Sequence, residues 1–125
     1  MDNVEDLLME ARPSVLGRHL AWLVDQSHAV PQVSPRRTLI EDQAGILIDA
    51  LDRRDCYAVV ARAIREPWVD EPGEVDDDVA SYAGRLGMCI VGQPEYSPYV
   101  ALARSAAKLA ASTMRAAEEG ARVAS

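Results

Sequence analysis

The stretch from Glu66 to Val79 concentrates side chains that could bind a metal ion. It reads EPWVDEPGEVDDDV and holds seven carboxylates, two prolines and Trp68. A calcium loop of the EF-hand type needs oxygen ligands at alternate positions, a glycine at the sixth position and a glutamate at the twelfth. Counted from Asp70, the sixth residue is Val75 and the twelfth is Ser81, so the loop pattern is absent. We therefore expect no calcium site in this stretch.

Two other interpretations of the acidic stretch remain open. In the first, Pro72-Gly73 makes a turn, and the carboxylates that follow begin a helix, where negative charge interacts favourably with the helix dipole. In the second, the stretch is an acidic epitope for a basic protein partner, with the tryptophan as its apolar anchor, since tryptophan is a favoured hot-spot residue. The candidate protein-binding residues are Trp68, Asp70, Glu71, Asp76 and Asp77.

The histidines and cysteines form no recognised catalytic or metal-binding pattern. His19 and His28 are nine residues apart on one predicted helix. This is about two and a half turns, so the two rings lie on opposite sides and cannot share a metal or substrate. Cys56 and Cys89 are far apart in the sequence, and neither belongs to a C-x-x-C motif. Such isolated cysteines are typically reduced, buried thiols. With no nucleophile motif of the G-x-S-x-G type either, we expect no enzyme activity, no metal and no cofactor.

Composition indicates a globular protein with an acidic surface. The 125 residues carry a formal net charge of −7 and are 49% hydrophobic, which predicts one domain over residues 1–125. The negative charge disfavours direct binding to nucleic acid and favours basic partners. Neither a signal peptide nor an apolar run of membrane length is present, so we expect a cytoplasmic protein that does not bind membranes. The excess of arginine over lysine points to a bacterial or phage genome.

Apolar residues recur at helical spacings along the whole chain. Pro13 interrupts the first segment, which predicts either a short helix followed by a longer one from near Arg12, or one bent helix. Ser34-Pro35 and Ser97-Pro98 are typical helix starts, because the serine hydroxyl can cap free N–H groups and proline fits the first turn. The helix that begins at Ser97-Pro98 is rich in alanine.

The middle of the chain contains an ambiguous junction. The polar residues Asp52–Asp55 either end the helix that begins at Pro35 or turn it, and Pro67 ends the helix after them. Arg53 and Arg54, placed between these aspartates, favour surface salt bridges or a partner's carboxylates. We find no alternation of apolar and polar residues that would indicate strands. The sequence predicts an all-α fold, a compact bundle of four to five helices.

Gly84 and Gly87 fall inside a predicted helix, where each glycine costs about 1 kcal/mol relative to alanine. Close approach of another helix, such as the alanine-rich last one, would explain them. The alternative is a ligand that lies against the bare backbone.

The leading functional hypothesis is a protein-binding or regulatory module that acts through exposed helix faces. A regulatory subunit, an adaptor and a phage-encoded inhibitor of a host protein all fit this description. The last helix is the best place for a homodimer contact, because small residues allow two helices to meet closely. An exposed apolar patch over a filled core would favour this hypothesis.

The alternative is a small-molecule-binding or enzymatic bundle with a pocket between its helices. A cavity with converging polar groups would favour it. The possible pocket residues are Trp22, Tyr57, Tyr82, Met88 and Tyr99.

Overall fold

Six α-helices make up the part of the chain that the computed structural model describes, which is residues 3–66, 77–89 and 98–124. No strand is present in these ranges. The all-α class is confirmed, and the expected count of four to five helices is corrected to six because both ambiguous junctions are true helix ends. The helices are α1 (Val4–Glu10), α2 (Pro13–His28), α3 (Pro35–Arg53), α4 (Tyr57–Arg65), α5 (Asp77–Met88) and α6 (Pro98–Ala124).

Local hydrogen bonding at the two junctions separates the helices. Arg12 has extended backbone angles, and Pro13 then opens α2. At the end of α3, the Cys56 N–H donates to the carbonyl of Leu51 at 2.9 Å and the Asp55 N–H donates to that of Asp52 at 3.0 Å. This is the Schellman pattern of a helix end, and Asp55 takes the left-handed conformation it requires, with φ of 55°.

Helix α2 lies at the centre of the bundle and contacts α3, α4, α5 and α6. Its leucines Leu16, Leu20 and Leu23 are fully buried. Helix α1 packs on α3 and α5, while α5 and α6 form the most extensive helix pair. The core is built mainly from leucine, valine and alanine, in agreement with a sequence that has no phenylalanine.

The two glycines of α5 have different surroundings. A Cβ on Gly87 would lie 3.1 Å from the Cβ of Ala107 and 3.6 Å from the carbonyl oxygen of Ala103, so α5 and α6 meet closely there. This confirms the predicted packing against the alanine-rich last helix. A Cβ on Gly84 would have no atom of the described residues within 4 Å, so helix packing does not account for that glycine.

The closest approach of α2 and α4 depends on Gly17, because a Cβ there would lie 2.5 Å from Cγ1 of Val59. We expect Gly17→Ala to lower the free energy of unfolding by about 1–2 kcal/mol, since overpacking outweighs the gain in helix propensity. Gly45 lies in the middle of α3 with open space around it, so Gly45→Ala should stabilise by about 1 kcal/mol. Urea unfolding followed by circular dichroism measures both changes.

A second substitution tests whether contact with Val59 causes the loss of stability in Gly17→Ala. Removing its Cγ atoms with Val59→Ala should make Gly17→Ala much less damaging in the double variant than in the single one. If Gly17→Ala stabilises the protein as Gly45→Ala does, the close contact between α2 and α4 is wrong.

Candidate functional surfaces

Most of the predicted acidic epitope lies outside the described residues. This holds for Trp68, Asp70, Glu71 and Asp76, while Asp77 is the first residue of α5. Asp77 and Asp78 are therefore helical, which is consistent with the first interpretation. Binding of a basic partner by these residues stays a prediction.

The five predicted pocket residues occupy different settings. Trp22 and Tyr82 are buried, the latter with 6% of its surface exposed, whereas Tyr57 is 66% exposed, Met88 is 72% exposed and Tyr99 is also exposed. Tyr82 lines a cavity between α1, α2 and α5, and Tyr99 lines a groove along α3. The described structure therefore does not gather the five around one of these cavities.

Helix α6 has a row of exposed residues, one of which, Ala107, also borders Gly87 of α5. We call it the outward face of α6, and it consists of Arg104, Ala107, Ala111, Met114 and Glu118. These residues are spaced alternately by three and four positions, which is the spacing of the contact seam between two packed helices. On the opposite side of α6, Leu102, Leu109 and Thr113 are buried.

Two positions of α5 are open to solvent. A Cβ on Gly84 would have no atom of the described residues within 4 Å, and Met88 is 72% exposed. Both residues lie on the helix that packs against α6.

A row of carboxylates on α3 borders a second surface. Glu41, Asp42 and Asp49 line a groove of about 540 Å³ together with Arg53 and Tyr99. Sequence analysis missed this groove, although Glu41, Asp42 and Asp49 lie on the polar side of the helix, away from its apolar stripe. No group of three or more histidine, cysteine or carboxylate side chains among the described residues could hold a metal ion. Glu41 pairs with Arg37 at 3.2 Å and Asp49 pairs with Arg53 at 3.0 Å. Among the described residues, Asp42 is therefore the carboxylate of the groove that is left to bind a basic side chain.

Arg53 is tied into this acidic row. Its guanidinium donates to Glu5 at 2.7 Å and pairs with Asp49 at 3.0 Å, as predicted for a surface salt bridge. The hydrogen bond to Glu5 raises the pKa of Arg53 above its usual value. This arginine therefore joins α1 to α3 and remains charged.

A third groove, of about 280 Å³, lies between α2 and α4. Gly17, Val59 and Ala63 line it with small apolar groups, and Arg18 and Arg62 supply positive charge. Arg62 is paired with Glu66 at 3.0 Å. The positive charge of this groove is thus partly neutralised by Glu66, the C-cap residue of α4.

His19 is fully buried and carries one hydrogen bond, between its Nε2 and Oγ of Ser105 at 3.3 Å. The Ser105 hydroxyl donates its proton to the carbonyl of Leu102 at 2.8 Å, so it must accept from the Nε2–H of the histidine. Nδ1 then has a free lone pair and no partner among the described residues. Burial lowers the pKa of His19 to about 3, so the ring is neutral at ordinary pH.

The remaining candidate groups are placed as follows. His28 is exposed, so the two histidines do lie on different sides of α2. Neither Cys56 nor Cys89 forms a disulfide bond, and both are only half-buried, which is less than the sequence predicted. Within the described ranges, no helix is both long enough and apolar enough to cross a membrane.

No protein family, curated protein or solved structure matches the chain.

Proposed function

We propose that this protein is a cytoplasmic protein-binding module that acts by association rather than catalysis, and that it works as an antiparallel homodimer joined through the outward face of α6. The observation that carries the proposal is the exposed row on α6, with alanines at its centre and opposite charges at its ends. Small residues at a helix contact let the two backbones approach closely, as Gly87 and Ala107 already do within one chain.

The charges favour one orientation of the two helices. Arg104 lies seven residues before Ala111, and Glu118 lies seven residues after it. If two copies of α6 cross antiparallel near Ala111, Arg104 of each protomer lies opposite Glu118 of the other. In a parallel pair like charges would face each other, which is unfavourable. Charge complementarity therefore supports the antiparallel arrangement.

The flanking residues fit the same register. In the antiparallel pair Lys108 lies level with Met114 of the other protomer, and its apolar stem can cover the exposed thioether. In this antiparallel pair, no charged residue whose side chain is described lies directly opposite a residue of the same charge. The acidic groove on α3 is not part of this face, so a dimer leaves it open for a basic protein partner. Such a module could serve as a regulatory subunit, an adaptor or a phage-encoded inhibitor.

Charge reversal tests the dimer and its orientation together. We expect Arg104→Glu and Glu118→Arg each to raise the dimer dissociation constant by about tenfold or more, because each turns two attractive pairs into repulsive ones. The double variant should recover most of the affinity, since it restores opposite charges across the antiparallel contact. Sedimentation equilibrium measures the dimer dissociation constants of the two single variants and the double variant.

The matched control is Arg65→Glu, which makes the same charge change at an exposed site on α4. It should leave the dissociation constant unchanged. A monomer at every concentration contradicts the proposal. A dimer that tolerates both single reversals excludes the α6 interface, and a double variant no better than the singles excludes the antiparallel register.

A further inference from the structure

The groove on α3 is lined by apolar groups as well as by carboxylates. Gly45 and Ile46 contribute from α3, and Tyr99 contributes from the start of α6. The volume of about 540 Å³ equals that of roughly eighteen water molecules at about 30 Å³ each. The groove is therefore large enough for the whole side chain of an arginine or a lysine.

Gly45 leaves the backbone of α3 bare within this groove. It lies in the middle of a 19-residue helix, where a glycine costs about 1 kcal/mol relative to alanine. A Cβ on Gly45 would have no atom of the described residues within 4 Å, so helix packing does not account for the glycine. A bare stretch of backbone allows another molecule to approach closely.

Ion pairs neutralise only part of the negative charge of the groove. Glu41 pairs with Arg37 at 3.2 Å. Arg53 is shared between two carboxylates, that of Asp49 at 3.0 Å and that of Glu5 at 2.7 Å. These ion pairs therefore set three carboxylates against two guanidinium groups.

Asp42 adds a carboxylate that has no ion pair with a described residue. It is exposed and lines the groove. With Asp42 included, the groove and its ion-pair partners hold four carboxylates against two guanidinium groups, so negative charge is in excess after every pair is counted. This local balance has the same sign as the net charge of −7 for the chain. A cation would reduce the excess.

We propose that the groove on α3 binds a basic side chain, an arginine or a lysine, from an exposed segment of a protein partner. This inference rests on the proposed function, which is association with other proteins, and it names the chemical group that is bound. The charged head would pair with Asp42, because a charge-assisted hydrogen bond to a carboxylate is strong. The apolar stem would lie against Gly45 and Ile46. The ring of Tyr99, which is 42% exposed, would offer an aromatic surface to the cation.

The peptide acetyl-Ala-Ala-Arg-Ala-Ala-amide is a suitable probe. The same peptide with citrulline in place of arginine is its control, because citrulline has nearly the same shape and no charge. We expect titration of the full chain with the arginine peptide to shift amide resonances of α3 and the start of α6 in a saturable way. The citrulline peptide should bind about fivefold more weakly.

Two pairs of variants test the residues of the groove. Asp42→Asn should weaken binding of the arginine peptide by about three- to fivefold, whereas Asp25→Asn, at an exposed carboxylate of α2, should leave it unchanged. Gly45→Gln should weaken binding about fivefold or more, because the new side chain occupies the groove. Gly84→Gln, at the open position of α5, should have no effect. Glutamine forms helices better than glycine, so Gly45→Gln should not unfold the protein.

Four outcomes would overturn the proposal. Equal binding of the arginine and citrulline peptides would mean that charge plays no part. Equal weakening by Asp25→Asn and Asp42→Asn would mean that the peptide is attracted only to the overall negative charge. Binding that Gly45→Gln leaves unchanged would place the peptide elsewhere, and absence of saturable shifts would mean that the groove binds no basic side chain.

The groove and the α6 dimer can fail separately. Sedimentation equilibrium of Asp42→Asn should give the dimer dissociation constant of the original chain, because Asp42 does not lie on the outward face of α6. A dimer that does not bind the arginine peptide contradicts the groove proposal alone. A monomer that binds the peptide contradicts the dimer alone.

Discussion

The free energy of unfolding is expected to fall by about 2–3 kcal/mol between pH 6.5 and pH 4.5 through His19 alone. In the unfolded chain, the ring of His19 takes up a proton near its ordinary pKa of 6.5. Burial lowers the pKa of His19 in the folded protein to about 3. Below pH 6.5 the unfolded state therefore binds more protons than the folded state. The stability gained by keeping the ring neutral is fully present above pH 6.5 and is lost progressively as the pH falls toward 3.

Urea unfolding at a series of pH values measures how the free energy of unfolding depends on pH. The difference between the original chain and a variant without His19 gives the part due to this residue. His19→Leu removes the titrating group while keeping an apolar side chain, so its stability should change much less over the same range. His28→Gln is the matched control, because His28 is exposed, and it should keep the pH dependence of the original chain. Parallel curves for His19→Leu and the unsubstituted protein would show that His19 does not titrate as a buried neutral group.

Replacing Arg54 by alanine is expected to lower the free energy of unfolding by about 2–3 kcal/mol. Its Nη1 donates to the carbonyl of Leu8 at 2.9 Å and to that of Ala11 at 2.6 Å. Carbonyls at a helix C-terminus lack partners within the helix, so this guanidinium satisfies two of them and fixes α1 to the end of α3. Because Leu7 and Leu8 are fully buried, loosening α1 also exposes part of the core.

The neighbouring arginine provides the control for this prediction. Among the described residues, Arg53 pairs with the exposed carboxylates of Glu5 and Asp49, and such ion pairs contribute little in water. Thermal unfolding of Arg53→Ala should therefore resemble that of the unsubstituted protein far more closely than Arg54→Ala does. Equal losses for the two variants would mean that Arg54 acts as a surface charge rather than as a cap.

The helix boundaries were the most predictable part of the fold, because they depend on local chemistry. Ser34 was expected to cap α3, and its hydroxyl accepts from the N–H of Arg37 at 3.1 Å. Pro13 was expected near a helix start and is the first residue of α2. The end of α3 could not be predicted in the same way. Asp55 adopts a left-handed conformation that glycine normally provides, so no glycine marked the break.

The functional surfaces were less predictable, because each needs residues that are distant in sequence. Grouping the aromatic residues into one pocket ignored which helix faces turn inward, and Tyr57 and Met88 are exposed while Trp22 is buried. The cavity at Tyr82 joins α1, α2 and α5, and no local pattern brings those helices together. The spacing of the outward face of α6 was present in the sequence, but only the packing of α5 and α3 shows which side is left exposed.

The sequence by itself determined the helical class, the capped helix starts and the acidic balance, since these follow from local backbone preferences and from composition. Tertiary structure alone decided that Arg54 caps α1, that Gly17 lies against Val59, and that His19 reaches Ser105 across 86 positions of sequence. Such contacts depend on how the helices cross, and the crossing is set by the packing of the whole core.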